Sequence, residues 1–286
     1  MRSATRLIIL FLLITAGNNW FLQAQAQEVR ADLIWETPRV FQTPESVLYD
    51  AGYDVMYVSN INGDPAARDG NGFISRLSVH GDVEVLKWIR GLNAPKGMGK
   101  IGDVLYVSDI DVLVEIDIPS QKILNRHAAD DAVFLNDITT DRNGNVYISD
   151  SQSNKIYRFD GMNMELYFDD PVLDHPNGLF CRDDLLYVGC KDKILKINLI
   201  DRGYKEVMHG LGTIDGLNVD GTGNFIVSDW RGKVQYVVPP DTRILLFDTS
   251  AESIRAADIW FETALQMLYV PTFSDGRVMA YKISRD

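Results

Sequence analysis

Two cysteines in 286 residues, Cys181 and Cys190, are too few for a disulfide scaffold. Both fall in one predicted hairpin turning near Arg182-Asp183-Asp184. With Cys181 facing about Leu185, Cys190 lies about 16 Å further along the ladder, beyond bridging distance, so two free thiols are expected. Histidine is scarce, and no His-Glu-x-x-His helix, zinc-spaced cysteine set or Gly-x-Ser-x-Gly elbow occurs, which excludes ordinary zinc hydrolases and elbow-type serine hydrolases. Gly97-Met-Gly-Lys100 lacks the glycine spacing and the following Ser or Thr of a phosphate loop. Basic residues are in deficit, 28 against 40 acidic, for a formal charge of −12. That balance argues against nucleic acid and anionic membrane surfaces as partners.

Long apolar runs are also missing, apart from Leu7–Leu13 with its continuation to Ala16. This run follows Arg2 and Arg6 and precedes Ala24-Gln25-Ala26, the order of a secretory signal with a small-x-small cleavage site. It is about half the length of a membrane-spanning helix. The expectation is a leader over 1–26 and an exported chain, secreted or periplasmic, over 27–286, with no membrane contact after cleavage. Loss of the two arginines takes the formal charge to −14.

Self-similarity dominates the remainder. One strand pattern recurs six times: Val55-Met-Tyr-Val-Ser-Asn60, Val104-Leu-Tyr-Val-Ser-Asp109, Val146-Tyr-Ile-Ser-Asp150, Leu185-Leu-Tyr-Val-Gly-Cys190, Phe225-Ile-Val-Ser-Asp229 and Met267-Leu-Tyr-Val-Pro-Thr272. Equivalent positions are 49, 41, 40, 39 and 43 residues apart, and a period near forty with several strands per repeat predicts propeller blades. Each copy follows a shorter strand across a turn such as Asp141–Asn145 or Asp220–Asn224. Gly and Asn there supply the positive φ of a tight hairpin, and no downstream glutamate makes either turn a calcium loop. Third strands are read at 73–77, 155–159, 193–197, 233–237 and 277–281, and fourth strands at 83–88, 122–126, 164–168, 205–208 and 243–247. The sixth repeat lacks a fourth strand, and Ala31–Glu36 fits as its replacement. The expected fold is therefore an all-β, six-bladed β-propeller forming one domain and closed by its N-terminal strand, which hides an otherwise reactive edge.

In such a ring the innermost strands line a central channel, and their first residues meet at its mouth. Alignment of the repeats places Glu45, Lys96, Asn136, Asn177, Asp215 and Ala257 there. Glu45, Asn136, Asn177 and Asp215 offer two carboxylates and two amide carbonyls, an all-oxygen set suited to a hard divalent cation, Ca²⁺ best of all. Zinc fits poorly, because no histidine or cysteine joins the ring. Lys96 could weaken the cation, pair with Glu45 or Asp215, or stabilise an oxyanion.

On these repeats and this quartet the chain resembles the regucalcin/gluconolactonase family of six-bladed propellers, similar in turn to paraoxonases, diisopropyl fluorophosphatase and strictosidine synthase-like proteins. The resemblance spans residues 31–286. It implies a divalent-metal site at Glu45, Asn136, Asn177 and Asp215, with Asp215 also the base or nucleophile of a hydrolysis. Phe134 departs from the pattern: gluconolactonase-like members carry arginine there, which points away from sugar lactones. The reading is a metal-dependent hydrolase of a small lactone or ester, with Asp215 and Lys96 as catalytic candidates. A binding scaffold with a structural metal and a metal-dependent lyase or isomerase are the alternatives.

Three more residues are candidates for substrate contact on the same face: His175, two before Asn177, and Asp229 with Trp230, which follow a second strand. The insertion between Asn60 and Gly72 could serve as a lid. Asp109 and Asp150 are expected to brace loops.

Overall fold

The structure, a computed structural model, describes residues 28–285. The leader read over 1–26 lies outside the described residues. Among the described residues no helix is long and apolar enough to cross a membrane.

Six four-stranded antiparallel sheets follow one another around the ring. Their innermost strands are Pro44–Asp50, Pro95–Ile101, Leu135–Thr140, Leu179–Arg182, Ile214–Val219 and Trp260–Glu262. The recurring motif forms the second strands, Val55–Asn60, Val104–Asp109, Val146–Asp150, Leu185–Gly189, Phe225–Asp229 and Met267–Pro271. Each sheet is covered on both faces by neighbouring blades, so these strands are apolar without alternation, and all six residues of Val55–Asn60 are buried. Outer strands such as Tyr204–His209 face solvent and are polar.

The hydrophobic core is divided into wedges between adjacent blades. Leu48, Tyr57 and Trp88 of the first blade pack with Met98, Leu105 and Val114 of the second, and comparable clusters fill the other junctions. The motif's aromatic residue drives this: Tyr57 stacks on Trp88 with centroids 4.8 Å apart, and Tyr147 meets Tyr167 edge-on at 5.1 Å. Each such buried side chain contributes about 1.5–3 kcal/mol through burial.

The hairpin turns are as read. Asp141 Oδ1 accepts from the N–H groups of Asn143 and Asn145, and Gly144 takes φ 86°. Asp220 does the same for Thr222 and Asn224. These carboxylates are thus occupied by their own backbone. Closure also follows expectation: Val29–Glu36, beginning two residues earlier than read, pairs antiparallel with Val278–Arg285.

Two boundaries needed correction. The last strand starts at Val278 and not at Arg277, because the Arg277 side chain binds Glu36 and Asp275 where the chain turns in. The cysteine hairpin turns on two residues, Asp183-Asp184, so Cys181 faces Leu186 and not Leu185. Both thiols are free, and burial pushes Cys181 up to about 12 and Cys190 up to about 11.

Candidate functional site

A bulge at one point of the blade aims the ring residues. In blades one, two, three and five, two inner-strand residues (45–46, 96–97, 136–137, 215–216) oppose a single motif serine, Ser59, Ser108, Ser149 or Ser228. A bulge bends the strand and redirects its side chains. The serines, all fully buried, satisfy the backbone that the bulge frees. Ser46 N donates to Ser59 Oγ at 2.9 Å, Asp137 N to Ser149 Oγ at 3.0 Å and Gly216 N to Ser228 Oγ at 2.7 Å. Ser228 then donates to Ala257 O of the next blade at 2.7 Å, and Ser108 to Asn136 O at 2.5 Å. Ser108 and Ser228 thereby tie the bulge both to its own blade and to the next, and Ser59 and Ser149 to their own. Blade four has Gly189 instead, and a Cβ there would lie 2.5 Å from Ile214 Cγ2.

Five of the six ring positions meet in one cavity, Ala257 being the exception. Glu45, Lys96, Asn136, Asn177 and Asp215 line one cavity of about 220 Å³ together with Ile61, Pro65, Phe134, Thr213, Trp230 and Phe273. Glu45, Asn136 and Asp215 are buried, and Asn177 is partly buried.

Each member of the quartet carries one buried oxygen with no hydrogen-bond partner: Glu45 Oε2, Asn136 Oδ1, Asn177 Oδ1 and Asp215 Oδ2. On Asn136, Asn177 and Asp215 the opposite atom is engaged. Asn136 Nδ2 donates to Ser151 Oγ at 3.0 Å, and Asn177 Nδ2 to Asp215 Oδ1 at 2.5 Å, so both amides present their oxygens to the cavity. Leaving a buried acceptor unpaired costs about 1–3 kcal/mol each. Four at one mouth, all hard oxygens, fit a divalent cation of the calcium type. Among the described residues no group of three or more His, Cys, Asp and Glu could hold a metal, and half of the present set is amide.

Burial makes the charged forms of these groups costly. Burial, then the nearby Asp215 and Asp258, raise Glu45 well above the usual carboxylate range, with Lys96 opposing. Burial first, with Asp229 adding, raises Asp215 to about 7, while the Asn177 bond and Arg255 pull it down. Lys96 is 1% exposed; burial lowers it to about 8 against the pull of Glu45, Asp109 and Asp150. Its Nζ donates to Ala94 O at 3.1 Å and sits 4.1 Å above the Phe134 ring. Among the described residues no ion pair joins Lys96 to Glu45 or Asp215, although Glu45 stands first among the carboxylates that favour its charge.

A second ring lies one residue deeper: Ser46, Gly97, Asp137, Gly178, Gly216 and Asp258. At Gly97 a Cβ would approach Asp137 Cα to 2.5 Å, and at Gly216 it would approach Ile259 N to 2.4 Å, so glycine lets neighbouring inner strands close up. The three side chains that remain bind one another. Ser46 Oγ donates to Asp258 Oδ2 at 2.5 Å, Asp258 bonds Asp137, and Asp137 accepts from the N–H groups of Ile138 and Leu179 at 2.6 Å each. Burial raises Asp137 to about 8 and Asp258 well above its ordinary value, which favours a proton held between the two carboxyls.

The remaining sequence candidates separate. Trp230 lines the cavity, whereas His175 and Asp229 do not. His175 is exposed with φ 52°, its ring 3.4 Å from Asp174. Asp229 is buried and accepts from Arg231 N, the loop-bracing role that Asp109 and Asp150 also play for 93–94 and 133–134. The Asn60–Gly72 insertion reaches the cavity through Pro65 and is tied to blade two by the Arg68–Asp111 ion pair at 2.7 Å. Sequence reasoning missed Ile61, Thr213 and Phe273. A signal existed: Ile61, Trp230 and Phe273 each directly follow a copy of the motif, and Phe134 and Thr213 each stand two before a quartet residue.

No family model matches the sequence, and no curated protein matches it either. Solved structures share the fold. A gluconolactonase from Xanthomonas campestris is 17% identical, with a TM-score of 0.65 over 85% of this chain and 87% of that one. A virginiamycin B lyase from Staphylococcus aureus, with quinupristin, is 13% identical, with a TM-score of 0.61 over 90% and 99%. A chain of a nidogen/laminin complex is 21% identical, with a TM-score of 0.59 over 85% of each. These likenesses show the fold, the β-propeller that the repeats implied.

Proposed function

We propose that the channel mouth is the reaction centre of a divalent-cation-dependent hydrolase acting on a small lactone or ester. The observation that carries this reading is the set of four buried, unpartnered oxygens, one on each residue of the quartet. Glu45, Asn136, Asn177 and Asp215 would hold the cation, with calcium the best match to two carboxylates and two amides. When bound, the cation would polarise the substrate's carbonyl oxygen and offset the negative charge that develops there.

The chain's own groups supply the rest. Asp215 accepts the proton of the attacking water. Asn177 Nδ2 holds Asp215 Oδ1 in place. Lys96, buried and anchored to Ala94 O, turns a positive charge toward the cavity, where an oxyanion would form. The apolar wall excludes bulk water, which strengthens each of these interactions. The leader over 1–26 belongs to the same proposal, because an exported protein meets calcium at the roughly 10⁻⁴–10⁻³ M at which extracellular modules bind it.

The test is metal analysis of the purified mature protein, followed by a lactone and ester panel with and without the metal found. Undiminished turnover after exhaustive chelation would exclude the mechanism. A cation that raises the melting temperature without turnover of any substrate would turn the reading toward a scaffold.

A further inference from the structure

The wall around the four oxygens is hydrocarbon. Phe134, Trp230, Phe273, Ile61 and Pro65 line the cavity, and outside the quartet the polar side-chain atoms of the lining are the Thr213 hydroxyl, the Lys96 ammonium and the Trp230 indole N–H. The wall is also braced. Phe273 meets Trp230 edge-on at 4.3 Å, and the Arg255 guanidinium lies 4.4 Å from the Trp230 ring centre. Phe273 packs in turn on the buried cluster of Ile61, Ala94 and Ile110. Its φ of 47° is a conformation that bulky residues rarely adopt and that persists only where the surroundings over-determine it.

We propose that this cup receives the hydrocarbon side of the substrate, so that the site takes aryl or medium-chain alkyl esters and lactones in preference to polyol lactones. The inference rests on the reading of the channel mouth as a reaction centre and adds the substrate class. A polyol would bury several hydroxyls against a wall with three polar side-chain groups, none of them a carboxylate or amide, and unpaired buried hydroxyls are costly. An alkyl or aryl group meets matching surface. A cavity of about 150 Å³ accepts benzene, so about 220 Å³ holds a ring with an ester group attached.

The experiment compares 4-nitrophenyl acetate, butyrate and hexanoate with glucono-1,5-lactone in saturating calcium. In parallel, phenylacetate is titrated into the calcium-loaded protein while tryptophan fluorescence is followed. Expected are a rise in kcat/KM of about fourfold per added methylene until the cup is full, a flattened series in Phe134→Gln, and saturable quenching by phenylacetate that is lost in Trp230→Phe. A flat or falling ester series, or faster turnover of the polyol lactone, overturns the inference while leaving the hydrolase reading intact. If nothing is turned over, the hydrolase reading falls and the titration decides alone: saturable quenching assigned to Trp230 supports an apolar ligand, and its absence overturns it. Should Phe134→Gln fail to fold, Trp230→Phe keeps the aromatic bulk and carries the assignment.

Discussion

The mouth and the shaft of the channel present the same chemistry in two conditions. Both bury carboxyl groups contributed by inner strands one residue apart, and burial raises their proton affinity in both places. In the shaft, Asp137 and Asp258 are satisfied by two backbone N–H groups, a serine hydroxyl and each other. At the mouth, Glu45 and Asp215 each keep an oxygen with no partner, and the adjacent asparagines are turned to add two more. Buried polar groups without partners are rare, so their concentration at one point separates a site built for a ligand from one that completes the fold.

Four experiments sharpen or break that contrast. The largest expected effect is at Asp215: Asp215→Asn should lower kcat/KM by about 10²–10⁴-fold, the usual worth of a general base, while circular dichroism stays native. Next comes the cation. Calcium at about a hundred times its Kd should add about 2.7 kcal/mol, or roughly 5–10 °C in Tm for a chain of this size, and Glu45→Gln with Asp215→Asn should abolish the shift in a thermal scan. A smaller loss is expected from the stitch behind the bulge. Ser228→Ala leaves Gly216 N–H and Ala257 O unpaired, which costs about 1–3 kcal/mol in urea midpoints and should weaken calcium in a titration, because Asp215 sits on the same bulge.

The smallest effect tests the shaft. Asp137 is raised to about 8 in the folded chain, above its unfolded value near 4, so the folded state keeps a proton that the unfolded state has released. Stability from this pair is complete below about pH 4 and is lost as pH rises toward 8. In Asp258→Asn the amide donates to Asp137 and accepts from Ser46 without needing that proton. The variant should stay within about 1 kcal/mol of the parent at pH 6 and show a flatter Tm between pH 5 and 8, both in saturating calcium. Equal pH slopes would show that the pair shares no proton.

Much of this was legible in sequence, for reasons that vary with the element. The six-fold motif and the turns at 141–145 and 220–224 are local patterns repeated at a fixed period, and their meaning does not depend on what packs against them. The four quartet positions could be read because repetition makes equivalent residues comparable across blades. His175 and Asp229 show the limit of that reasoning. His175 stands at the place that Phe134 and Thr213 occupy in their own blades, yet the positive φ at 175 leaves it outside the lining. Asp229 lies at a motif end facing the mouth, but loop N–H groups lay claim to such carboxylates first.

By itself, then, the sequence determined the blade count, the strand order, the closure by an N-terminal strand and the residue types that ring the channel, since all of these follow from periodicity and from the alternation of turns with apolar runs. Only the tertiary structure decided which oxygens at the mouth go unpaired, which carboxyls in the shaft bind each other, and which aromatic side chains wall the cavity. Those outcomes depend on contacts between blades some forty residues apart in the chain, where one serine hydroxyl or one backbone dihedral settles the direction in which a side chain points.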